Sequence, residues 1–169
     1  MTGARPEQLA RVAARVREHL EGMDRVVEAL REALARWNTD PQELITVHWV
    51  AGLVHDFYTG LEKAFSAISP ELNGQEHAGG TWHRDLLHAM TLELAGFRPA
   101  VLRRDLEPPL VELMKFRHVY RNLYSFDLRW ERVRPLGSET LSMWPALRAD
   151  LVSFIAAIEA MAHPSEPRG

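Results

Sequence analysis

Apolar residues recur every three or four positions along most of this 169-residue chain, a spacing that predicts helices rather than strands. The first run, Glu7 to Trp37, sets Leu9, Val12, Ala13, Val16, Leu20, Met23, Val27, Leu30 and Leu34 on one face, with charges between them. Asn38-Thr39-Asp40-Pro41 interrupts it. Asp40 is suited to cap a second helix, Pro41 fits its first position, and Glu43 completes a capping-box-like pattern. That second helix, Pro41 to Ile68, carries a seam of Trp49, Leu53, Phe57, Leu61, Ala64 and Phe65. Gly52 and Gly60 within it cost stability unless another element packs closely there. Ser69 to Gly80 has loop composition, and Thr81 opens a third helix ending near Leu94. A fourth starts at Pro108-Pro109 and runs through Leu110, Leu113, Phe116, Val119, Tyr120, Leu123 and Tyr124. Ser125 to Gly137 is irregular, and Leu141 to Ala162 forms a last helix with Pro145 in its first turns.

Short connections force sequential helices to run antiparallel. The expected fold is therefore all-α, an up-and-down bundle of about five helices forming one domain over residues 1–163, with 164–169 as a flexible tail. The chain contains no cysteine, which removes disulfides, thiolate metal sites and cysteine nucleophiles together. No run reaches the roughly 20 apolar residues needed to span a bilayer, so the expectation is a cytoplasmic protein with no membrane partner. The net charge of -3 argues against a nucleic-acid binder driven by bulk electrostatics, so any RNA site must be local. Eighteen of the 20 basic residues are arginine, which fits either phosphate-gripping forks or a GC-rich coding sequence.

The densest polar clustering is Lys115-Phe116-Arg117-His118-Val119-Tyr120-Arg121-Asn122-Leu123-Tyr124. Helical spacing puts Arg117, Tyr120, Arg121 and Tyr124 on one stripe, with His118 and Asn122 paired on the adjoining flank beside Lys115. From Arg98 to Arg134 nine basic residues stand against five acidic ones, a locally basic stretch in an acidic protein. Guanidinium forks hold phosphate oxygens, imidazole moves protons near neutral pH, and tyrosines stack on bases. Cleavage of RNA without metal or cofactor needs little more, because the 2′-hydroxyl is a built-in nucleophile. The competing reading is structural: arginines snorkelling over the bundle and pairing with Asp127 or Glu131, and tyrosines filling core gaps.

The same stretch resembles the HepT-like toxins of the HEPN superfamily, whose mark is an arginine, four residues, a histidine, one residue and a tyrosine. Arg117 and Tyr124 match the outer positions, and the polar residue directly after the arginine is similar to one arm of the family. Phe57-Tyr58-Thr59-Gly60-Leu61-Glu62, Trp82-His83-Arg84-Asp85-Leu86-Leu87 and Trp144-Pro145 resemble that arm too, in order along the chain. The resemblance implies a five-helix bundle that forms a homodimer with a composite RNA-cleaving cleft. It also implies a minimal nucleotidyltransferase antitoxin that adenylylates the motif tyrosine. On that basis Arg117 contacts the scissile phosphate, Tyr124 is the modification site, and Lys115, Tyr120 and Arg121 support RNA binding. The transferase's own signature, Gly-Ser followed by Asp-x-Asp, is absent, which makes this chain the partner.

The motif histidine is replaced by Asn122, and an amide cannot exchange protons near pH 7. Three alternatives stand. His118, one turn earlier, substitutes; Asn122 merely orients the 2′-hydroxyl; or the chain is a non-catalytic subunit that binds nucleotide or the transferase. A plain helical interaction module is a further rival. His48, His55, His77, His83 and His88 lack the spacing of a metal site on one helix face, so no metal is expected. Trp82-His83-Arg84-Asp85 fits either the cleft or helix-start capping and ion pairing, and Phe57, Tyr58 and Phe65 fit the core.

Overall fold

A computed structural model describes residues 5–37, 43–72, 82–124 and 127–163. They form an all-α bundle of five helices: α1 Pro6–Arg36, α2 Leu44–Leu72, α3 Trp82–Met90, α4 Glu107–Tyr120 and α5 Trp130–Ala162. The Asp40-Pro41 cap, the Thr81 start of α3 and the 164–169 tail lie outside the described residues.

Pairings between helices fix their directions. Arg17 meets Glu159, Asp24 meets Arg148, and Gly137 meets Leu30 and Leu34, so α1 and α5 run antiparallel. Trp37 meets Trp49 edge to face and Met23 packs on Gly60, so α1 and α2 are antiparallel as well. The first helix is thus the common neighbour of both. Its buried face, Leu9 through Leu30 at helical spacing, is the predicted one with Ala33 in place of the partly buried Leu34. Of the α2 glycines only Gly60 is a close approach: a Cβ there would stand 3.0 Å from Met23 Cγ, whereas one at Gly52 would make ordinary contact, 3.5 Å from the Tyr120 hydroxyl. Phe57, Tyr58 and Phe65 are buried as expected, whereas Trp49, expected in the seam, is 45% exposed.

Several boundaries differ from the sequence reading, α2 among them, which runs on to Leu72 through residues expected to open the loop at Ser69. α5 begins eleven residues early, at Trp130, and contains both Pro135 and Pro145. Gly137 and Pro135 look like punctuation, but Trp130 and Val133 are buried, and glycine lets Leu34 lie where a Cβ would be 3.1 Å away. Packing therefore outweighs local propensity. α4, in contrast, stops early, at Tyr120. Asn122 Nδ2 donates to the His118 carbonyl at 2.9 Å and its backbone N–H to Val119 at 2.9 Å, so last-turn carbonyls are satisfied without another helical turn.

α5 also corrects the expectation that no segment can span a bilayer, since by length and composition it is long and apolar enough. One side of it is nevertheless core, with Met143, Trp144, Leu147, Leu151, Phe154 and Ile158 all buried, while Val152 and Met161 are exposed. Arg148, Asp150 and Glu159 on its outer side hold ion pairs.

α3 ends at Met90 rather than near Leu94, and its last carbonyls are all taken. Thr91 serves His88, Arg98 serves Ala89, and Val101 and Leu102 serve Met90. A turn closed by a Leu94–Arg98 bridge, with Gly96 at φ +80°, brings Arg98 back to that helix end.

Half-buried His19 on α1 carries a pH consequence. Burial is the main cause that lowers its pKa below 6.5, with Lys63 and Arg15 acting in the same direction and Glu18 against it. A depressed folded pKa means the unfolded chain binds the proton better, so the stability it contributes is complete above pH 6.5 and lost as pH falls. His19→Gln is expected to shrink the drop in melting temperature between pH 7.5 and 5; an unchanged drop would refute this.

Candidate functional site

Glu62 on α2 is the hub of the polar cluster. Its side chain is 11% exposed, and a carboxylate so deep requires partners on both oxygens. Oε1 lies 3.0 Å from Arg117 Nη2 on α4, and Oε2 accepts from His83 Nδ1 on α3 at 2.6 Å. Arg117 Nε donates to Thr59 Oγ1, one turn before Glu62, at 3.3 Å. The guanidinium is thus fixed at two corners, leaving both Nη1 N–H groups and one on Nη2 beyond these contacts. His83 is fixed too, its ring stacked on Trp82 with centroids 3.6 Å apart. Tyr58 lies beneath; burial first and the Glu62 carboxylate second push its phenol up, Arg117 opposing, so it stays protonated.

Above this cluster opens a groove of about 520 Å³ lined by His83, Arg84, Met114, Lys115, Arg117, His118 and Val119. Four of its seven lining side chains carry nitrogen donors beside Arg117, a composition suited to an anion. His118 and Lys115 are exposed at its rim, Lys115 on Glu112 at 2.8 Å.

The predicted stripe does not survive as one surface. Because α4 ends at Tyr120, Arg121 and Tyr124 continue off the helix axis into a second groove of about 440 Å³ with Tyr120, His48, His55, Leu123 and Leu128. Tyr120 packs within the chain, against His55 at 5.0 Å and Phe116 at 5.7 Å between ring centroids. Tyr124 is 72% exposed. Asn122 faces its own helix end and lines neither groove.

The basic stretch is likewise dispersed. Arg98 is buried on carbonyls, Arg103 grips Asp150 through Nε and Nη2, and Arg117 is on Glu62. These arginines are therefore committed within the fold, and the groove gathers Arg84, Lys115 and Arg117 at one place. His55, His83 and His88 sit on Asp56, Glu62 and Glu107, and the described residues hold no cluster of three metal-ligating side chains.

Glu62 is the residue the sequence reading missed as part of the site. The signal was present: a carboxylate in register with Tyr58 and Phe65 on a core-facing seam demands a buried cationic partner.

A family model described as HepT-like protein matches residues 50–158, close to two thirds of the chain and spanning every residue of the cluster. Neither curated proteins nor solved structures give a match.

Proposed function

The chain belongs to the HepT-like family of the HEPN superfamily, toxin-type and generally RNase-related proteins that typically pair with an antitoxin, and we propose that it is a metal-independent endoribonuclease toxin. The observation that carries this is the groove over Arg117. A guanidinium held by Thr59 and Glu62 keeps donors for a phosphate and costs no reorganisation when charge develops there. Lys115, Arg84 and His118 surround it and favour a polyanion.

On this reading the protein works in the cytoplasm as a homodimer, residues 1–163 forming its single domain. Exposed Val119, at the groove's edge, supplies apolar surface for the second copy. The 2′-hydroxyl attacks phosphorus, Arg117 stabilises the pentacoordinate state, and the products are a 2′,3′-cyclic phosphate and a 5′-hydroxyl. The partner is a minimal nucleotidyltransferase antitoxin of a type II pair, which transfers an adenylyl group from ATP to the exposed Tyr124 hydroxyl and releases pyrophosphate. Arg121 beside that tyrosine offers a contact for the added phosphate.

The purified protein, incubated with single-stranded RNA in excess chelator, is expected to yield fragments with 2′,3′-cyclic phosphate ends. Intact RNA together with stable binding of the transferase would instead make it a non-catalytic subunit.

A further inference from the structure

The ribonuclease reading leaves one role empty, the group that takes the proton from the 2′-hydroxyl. Asn122 cannot fill it. We propose, building on that reading, that His83 of α3 is the catalytic base, held in its working tautomer by Glu62.

Three observations converge on His83. An ionised carboxylate only accepts hydrogen bonds, so the 2.6 Å contact places the proton on Nδ1 and leaves Nε2 as the basic nitrogen. The ring lines the same groove as Arg117, and the two are joined through opposite oxygens of one carboxylate. The stack on Trp82 removes ring rotation, while 27% of the His83 side chain stays open. His118 lines the same groove, but it is exposed and no carboxylate orients it among the described contacts. A base oriented by a buried carboxylate is the arrangement general-base chemistry uses.

In the step, Nε2 accepts the 2′-hydroxyl proton as the O2′–P bond forms. The P–O5′ bond breaks, O5′ leaves with a proton from water, and the imidazolium returns its proton to solvent, so protons balance. Arg117 holds the non-bridging oxygens throughout. Groups bearing on the imidazole are Glu62 and Tyr58 from α2, Arg84 from α3, and Lys115, Arg117 and His118 from α4.

The test compares single-turnover RNA cleavage by the parent, His83→Gln and His118→Ala, each also assayed for binding of 2′-O-methyl RNA. Glutamine can still donate to Glu62 but cannot exchange a proton. The expected loss for His83→Gln is about 10²-fold or more, with analogue binding within threefold of the parent. His118→Ala removes one donor from the groove and is expected to weaken analogue binding and cleavage in step, by less than tenfold, which gives a readout independent of how well His83→Gln folds. Cleavage by His83→Gln near the parental rate, or a loss of cleavage in His118→Ala well beyond its loss of binding, overturns the assignment of His83 and leaves the ribonuclease reading intact. An inactive parent overturns both.

Discussion

Arg117→Ala is expected to lower RNA cleavage by about 10²- to 10³-fold, the effect of removing one preorganised charge that stabilises a developing anion. The side chain has a second duty, and the experiment must separate the two. Its guanidinium balances Glu62, and removing one partner of a buried pair leaves the other costly. The alanine variant should therefore lose about 2–3 kcal/mol of stability as well, reduced from the fully buried case because His83 still holds the other oxygen. Arg117→Lys separates these effects. An ammonium keeps charge beside Glu62 but cannot serve Thr59, Glu62 and a phosphate together, so it should fold normally and still cleave at least tenfold more slowly. Parental cleavage by a folded Arg117→Lys and by Arg117→Ala would end the ribonuclease reading.

The largest expected effect on stability lies away from the site, at Arg98. This residue is 2% exposed, with Nη1 donating to the carbonyls of Leu92 and Pro99 at 2.9 and 3.0 Å and Nη2 to Ala89 at 2.8 Å. It ties the loop after α3 to the helix end, where a cation also suits the dipole. The cost of its burial is visible in the guanidinium, pulled down from 12.5 to about 10. Arg98→Met keeps the length and removes the donors. Three inward-facing carbonyls are orphaned at about 1–3 kcal/mol each, and relief from burying the cation offsets part of that. The net loss should be about 3 kcal/mol, or roughly 10 °C in melting temperature for a chain of this size. A shift under 2 °C in a calorimetric scan would mean water reaches those carbonyls.

Arg98 also shows why counting charges along a stretch misleads. It contributed to the local basic excess yet presents no charge to a ligand, and Arg103 is similarly committed to Asp150. Charge is a property of sequence; availability of charge is a property of packing. α5 repeats the lesson for breakers and hydropathy. Pro135 and Gly137 argued for a loop there, and the same helix reaches membrane-like apolarity, although its apolar side is the bundle core.

The catalytic-looking stretch was legible as a set of residue types, but its partition was not. Continuing the helix through Tyr124 put Arg117, Tyr120, Arg121 and Tyr124 on one stripe. α4 ends four residues sooner, with Asn122 bonded to its last-turn carbonyls, and Tyr120, Arg121 and Tyr124 line another groove apart from Arg117.

By itself the sequence determined the helical class, the face α1 buries and most of that of α2, and the family motif around Arg117, because these depend on periodicity and on residues close together in the chain. Only the tertiary structure brought Glu62, His83 and Arg117 from three helices onto one carboxylate, since contacts across 21 and 55 positions follow from how helices pack and leave no periodic trace.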